Sequence, residues 1–187
     1  GRVQGRPESA DWWVELAMGR MGITSSNLWR REAVVAAGGW EPARRRLQDS
    51  RLVYAMLRAG ARVAVRPEVA AVHRLVNPRS IYVRSIGESL RERGLLAAEV
   101  LATLVWRGEL TPERRRVLAA EAMRHARILW EAGPREYGRA VERALAAVLP
   151  DAAERAGTTG RIWPSIYRRL GFEGAEHYDV LRRVARP

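Results

Sequence analysis

The sequence predicts an α/β segment over residues 1–78 followed by an all-α domain over residues 79–187. Three observations carry that division. Before residue 78, two short helical patterns alternate with extended stretches, and residues 62–66 (Arg-Val-Ala-Val-Arg) alternate polar with apolar at the strand period of two. After Asn77-Pro78, apolar residues recur only every three or four positions, which is the helix period. Helix start and stop residues then punctuate the remainder.

Residues 1–11 form a polar lead, and Trp12, Trp13, Val14, Leu16 and Met18 mark a short helix or loop that docks by its tryptophans. Residues 23–29 suit a strand. Residues 30–37 suit a short helix stopped by Gly38 and Gly39. From Leu47 to Ala59 the positions Leu52, Val53, Met56 and Leu57 share helical spacing, with Gly60 as the stop. Residues 62–66 read as a half-buried strand, and Pro67 turns the chain into a second extended piece over 69–73. From Val83 to Leu104 one long helix is expected, broken at Gly108. Thr111-Pro112-Glu113 opens another with an N-cap, a first-turn proline and a first-turn acid. Gly133-Pro134 opens a third that Pro150 closes. Two short helices, 161–170 and 174–184, are expected after it, separated near Gly171.

The composition narrows the chemistry. No cysteine is present, which removes disulfides, thiolate zinc sites and a cysteine nucleophile. The longest apolar run, from Leu95 to Trp106, holds twelve residues with Glu99 inside it, whereas a membrane span needs roughly twenty. A net charge of +12 would ordinarily point to an anionic partner. Here all 33 basic residues are arginine. We read that bias, beside abundant Ala, Gly and Val, as the mark of GC-rich coding rather than of binding. The chain begins with Gly rather than Met, which suits either a trimmed chain or a fragment of a longer reading frame.

Asp49 is the first residue that could carry chemistry. On a helix from Leu47 it shares a face with Leu52, Val53 and Met56. A carboxylate there, near a helix N-terminus, either caps the helix or stands as a general base beside the core. His73 ends the extended 69–73 piece, either as a polar strand terminus or as a metal ligand. Gly38 and Gly39 stop a helix, and Trp40 is either core or an apolar wall. Ser25, Ser26 and Asn27 close the first expected strand. His125 and His177 have no ligand-spaced partners and are expected on the surface.

Taken in order, Arg30, Arg31, Glu32, Gly38, Gly39, Trp40, Asp49, Leu57, Gly60, Pro67 and His73 resemble the acceptor half of a family 2 glycosyltransferase. That resemblance spans about 55 residues. It implies the acceptor half of a GT-A-like (nucleotide-diphospho-sugar transferase) fold over 1–78 with a helical tail over 79–187. It also implies an inverting sugar transfer from a nucleotide donor to an acceptor hydroxyl. By resemblance, Asp49 would be the base, Gly38, Gly39, Trp40 and Asn27 would contact the sugars, and His73 would join a divalent metal (Mg or Mn). A nucleotide sugar and a glycan or lipid-linked acceptor would be the partners, in the cytoplasm at the inner face of the membrane. Gln48 departs from the family, which has an acid there. The only aspartates are 11, 49, 151 and 179, so no Asp-x-Asp motif and no Gly-rich phosphate loop exists. The donor half is therefore expected upstream, and this chain alone is expected to be inactive.

A second resemblance is narrower. ARILWEAGPREYGRAVERALAAVLP, residues 126–150, is similar to one tetratricopeptide unit, but a solenoid needs about three units to bury a continuous core. A non-enzymatic helical module that binds a protein through residues 80–187 is the alternative function. Nucleic acid is not expected, because no helix-turn-helix or aromatic–basic stacking motif is present.

Overall fold

The computed structural model describes residues 7–22, 24–66, 86–151 and 162–184. Their backbone forms seven α-helices: α1 (Trp12–Ala17), α2 (Arg31–Ala36), α3 (Gln48–Arg58), α4 (Ile86–Trp106), α5 (Pro112–Ala132), α6 (Arg135–Val148) and α7 (Trp163–Val184). A single 3-10 turn lies at Thr24–Ser26. No strand occurs among the described residues. The expected α/β fold class is therefore corrected to an all-helical one. The resemblance to a GT-A acceptor half of a family 2 glycosyltransferase falls with it.

The physical reasons are local. Over 24–29 the chain turns on itself, and a short polar side chain bonds nearby backbone instead of a ladder. The Asn27 side chain donates to the Met21 carbonyl at 3.0 Å, and its backbone N–H reaches the Thr24 carbonyl at 3.3 Å. Residues 62–66 have no neighbouring strand among the described residues, and an unpaired strand leaves every N–H and C=O without a protein partner. Val65, which the alternation assigns to the buried face, is exposed. The second extended piece, 69–73, lies outside the described residues.

Clustering of contacts separates the chain into two units, Gly1–Ser89 and Leu90–Pro187. In the first, α1 packs on α3, burying Trp13, Leu16 and Ala17 with Leu52, Val53, Met56 and Leu57. Trp13 meets Tyr54 edge to face at 6.3 Å. Buried Glu15 is satisfied by the Glu8 N–H at 3.0 Å, the Ser9 hydroxyl at 2.9 Å and Arg20 at 3.5 Å. That carboxylate thus pins the segment leading into α1.

In the second unit, α4, α5, α6 and α7 each contribute to the core. Leu96, Val100, Leu101 and Leu104 come from α4, Leu118, Met123 and Leu129 from α5, Val141 and Leu145 from α6, and Trp163 and Phe172 from α7. The α5 start follows its sequence signal, with the Thr111 hydroxyl accepting from the Arg114 N–H at 3.2 Å. α5 and α6 are joined through Gly133 and Pro134 and pack on each other. Their backbones touch at Gly138, where an added Cβ would lie 2.6 Å from the Ala126 carbonyl oxygen. Gly171 (φ 71°, ψ −174°) breaks α7 into two pieces.

Candidate functional site

Asp49 is the second residue of α3. It does not cap its own helix, because the N-cap is Leu47, held at φ 50° in the left-handed region that a branched aliphatic rarely adopts. The Asp49 carboxylate instead accepts the Thr24 backbone N–H at 3.1 Å. It fixes the 24–26 turn against the start of α3, 25 residues further along the chain. Asn27 closes the same turn through its bond to Met21. The structure thus brings Asp49 and Asn27 together, as two ties on one loop.

Gly38, Gly39 and Trp40 form a separate corner. Gly38 (φ 83°) donates to the Val35 carbonyl at 3.0 Å and Gly39 (φ 75°) to the Val34 carbonyl at 2.9 Å. These are the paired bonds of a Schellman helix stop, and the left-handed conformations are what require glycine. The chain then returns so that Trp40 meets Trp29 edge to face, centroids 6.1 Å apart. Trp40 is neither fully buried nor isolated: it is 42% exposed beside its aromatic partner. His73 lies outside the described residues. Among the described residues no three His, Asp or Glu side chains converge as a metal-binding group.

The second unit holds a polar cluster that the sequence did not single out. Arg127 on α5 donates from Nε to Glu176 Oε1 at 2.7 Å and from Nη2 to Asp179 Oδ2 at 2.8 Å. Its guanidinium also lies over the Trp163 ring at 5.3 Å, and Trp163 Nε1 donates to Glu176 Oε1 at 3.1 Å. Glu176 is fully buried, and its second oxygen, Oε2, has no hydrogen-bond partner. Burial pushes the Glu176 carboxyl above the ordinary range, against the opposing pull of Arg127. Tyr167 donates its hydroxyl to Glu142, and its ring stacks on Trp163 at 4.9 Å. Nearby, Trp130 receives Arg135 at 5.0 Å and Arg139 at 5.3 Å, with Phe172 and His177 against its edges.

His125 corrects the sequence reading, which placed it on the surface. It is buried, with Nδ1 2.9 Å from the Glu121 carbonyl oxygen and Nε2 3.3 Å from Arg124 Nη2. That geometry suits the neutral ring with its proton on Nδ1. Burial lowers its pKa, while the Glu121 carboxylate at 3.4 Å works the other way. Glu121 itself takes a two-pronged bond from Arg124 at 2.8 and 2.6 Å. The signal for His125 was available: it stands seven residues after Leu118, three after Ala122 and four before Leu129, all on one buried stripe. Glu176 and Asp179 carry no such signal, because a charged residue next to apolar ones reads equally as a helix edge.

These clusters are built as structural ties: Arg127 links α5 to α7 and Arg135 and Arg139 of α6 lie on Trp130 of α5, while Arg124, Glu121 and His125 bond one another along α5. What remains unengaged is apolar. On α7, Leu170, Val180 and Leu181 are exposed although Phe172, Ala175, Glu176 and Asp179 of the same helix are buried. No family model, curated protein or solved structure matches the chain. No helix of the described residues is long and apolar enough to cross a membrane.

Proposed function

We propose that the chain is a helical protein-interaction module whose second unit presents the outer side of α7 to a partner. The observation that carries this reading is the apolar outer side of a helix whose inner side is already committed to the core. Val180 and Leu181 stand on it after the Gly171 break with exposed Arg182, and exposed Leu170, Arg168 and Arg169 precede the break. Aliphatic anchors rimmed by guanidinium groups suit an amphipathic helix carrying an apolar stripe and acidic flanks. The glycosyl-transfer reading needed a strand framework that the described residues do not form. The module reading needs only the helices that they do form.

The test is selection of binders from a displayed library of acidic amphipathic helices, followed by mapping of the bound surface by amide chemical-shift changes. The expected result is a peptide whose shifts centre on residues 170–182 and whose affinity falls at least tenfold in Leu170→Ser/Leu181→Ser. A selected peptide that maps elsewhere, or that binds the double variant equally well, would refute the reading.

A further inference from the structure

The first unit carries a separate surface. Leu28 is 104% exposed, Val35 69% and Trp40 42%, and Trp40 is in contact with Trp29. These residues bracket α2, a helix of six residues that is only about 9 Å long at 1.5 Å per residue. The Gly38–Gly39 stop folds the chain back on itself. The Trp29–Trp40 contact therefore joins the two ends of α2, and the exposed apolar residues fall within one short loop-and-helix segment. Exposed Arg30, Arg31 and Arg45 lie in the same stretch. The unit as a whole holds fifteen arginines against eight carboxylates, a net +7.

We propose that this patch docks the first unit on an anionic phospholipid surface. The chemistry divides by depth. Leu28 and Val35 suit the acyl boundary, the paired indoles suit the level of the carbonyls and glycerol, and Arg30, Arg31 and Arg45 suit lipid phosphates. A nucleic acid would use aromatic faces and phosphate contacts. It gives a fully exposed leucine and a valine nothing to enter. A short loop-and-helix patch of this size binds reversibly and peripherally, by insertion of a few side chains plus charge attraction. The proposal stands on residues 28–45 alone and is independent of the reading of α7.

The experiment is vesicle flotation at low and physiological salt. One vesicle is a two-to-one mixture of phosphatidylcholine and phosphatidylserine, and the other is phosphatidylcholine alone. The chain should float with the mixed vesicles and not with the neutral ones, and added salt should weaken the binding. Leu28→Ser should lower the partition coefficient about tenfold, and Arg30→Gln/Arg31→Gln about twentyfold. Leu170→Ser/Leu181→Ser should leave it unchanged. Leu28 is fully exposed, so its serine variant keeps the fold, which circular dichroism checks. Quenching of tryptophan emission by brominated lipid should diminish in Trp40→Phe. No flotation, equal flotation with neutral vesicles, or full binding by Leu28→Ser would overturn the proposal. So would tighter binding to a single-stranded oligonucleotide than to the mixed vesicles.

Discussion

Replacing Arg127 by alanine removes the one guanidinium that links α5 to both buried carboxylates of α7. Asp179 keeps a second partner, Arg182 at 3.3 Å, but Glu176 keeps only the Trp163 indole N–H. Removing one member of a buried ion pair typically costs about 3–5 kcal/mol, because the other charge is left in a poor solvent. Glu176 has an escape that limits this cost: it can take up a proton. Starting from the ordinary value of 4.5, holding a carboxyl neutral at pH 7 costs about 3.4 kcal/mol at 1.36 kcal/mol per pH unit. Losing the guanidinium from the face of Trp163 adds roughly 0.5–1 kcal/mol, while the wild type already bears part of the burial cost. The expected loss is therefore about 3 kcal/mol, or roughly 12–24 °C in the melting temperature of a unit of this size.

The same argument fixes the pH dependence. At pH 5 the cost of a neutral Glu176 falls below about 1 kcal/mol, so the difference between Arg127→Ala and wild type should shrink by more than half. Glu176→Gln placed in the Arg127→Ala background should recover most of the loss at pH 7, since a neutral amide needs no counter-charge. Thermal melts of the wild type and the two variants at pH 5 and pH 7 read all of this. A melting shift below about 3 °C for Arg127→Ala, or an equal shift at both pH values, would refute the reasoning.

Two further expectations concern single side chains. Because burial lowers the His125 pKa, the unfolded chain binds its proton first on acidification. Stability is then complete above the unfolded value of about 6.5 and declines as pH falls below it. His125→Gln should flatten that decline between pH 7 and pH 5 in denaturant titrations, and an unchanged slope would remove His125 as its source. Asp49→Ala should cost about 1 kcal/mol, since it exchanges the exposed Thr24 N–H bond for one to water and frees the turn, whereas Asp49→Asn retains an acceptor oxygen and should cost less than half of that. Equal losses in the two would show that the charge of Asp49, and not its hydrogen bond, holds the turn.

The sequence made some elements plain and others not, for reasons visible in particular residues. Thr111-Pro112-Glu113 places the start of α5 because caps act within one turn of chain. Gly38-Gly39, Gly60 and Gly108 place stops for the same reason. Leu52, Val53 and Met56 are buried on α3 as their spacing indicates. The strands expected over 23–29 and 62–66 failed because a strand is a property of two segments. The alternation of residues 62–66 states only which side chains would share a face, and nothing in those five residues supplies a neighbour. The ordered set that begins at Arg30 misled in the same way, for its elements up to Gly60 exist locally, as a helix stop, a turn tie and a short helix, without a sheet among the described residues to arrange them. Within the site, Asp49 could be placed in a first turn, but its bond to Thr24 spans 25 residues and leaves no trace in local spacing. The Arg127 cluster spans still more, 49 residues to Glu176 and 52 to Asp179.

The break at Gly171 has a consequence for how the end of the second unit comes apart. An interrupted helix ordinarily behaves as two segments, each free to fray at its own rate, since the ladder of backbone bonds that would couple them is cut. Here one guanidinium from α5 stacks on Trp163 before the break and grips Glu176 and Asp179 after it. Opening either piece strips partners from the same side chain and so loosens the other. Cooperativity that the backbone gives up at the glycine is supplied in part through a neighbouring helix, which couples the opening of the two pieces.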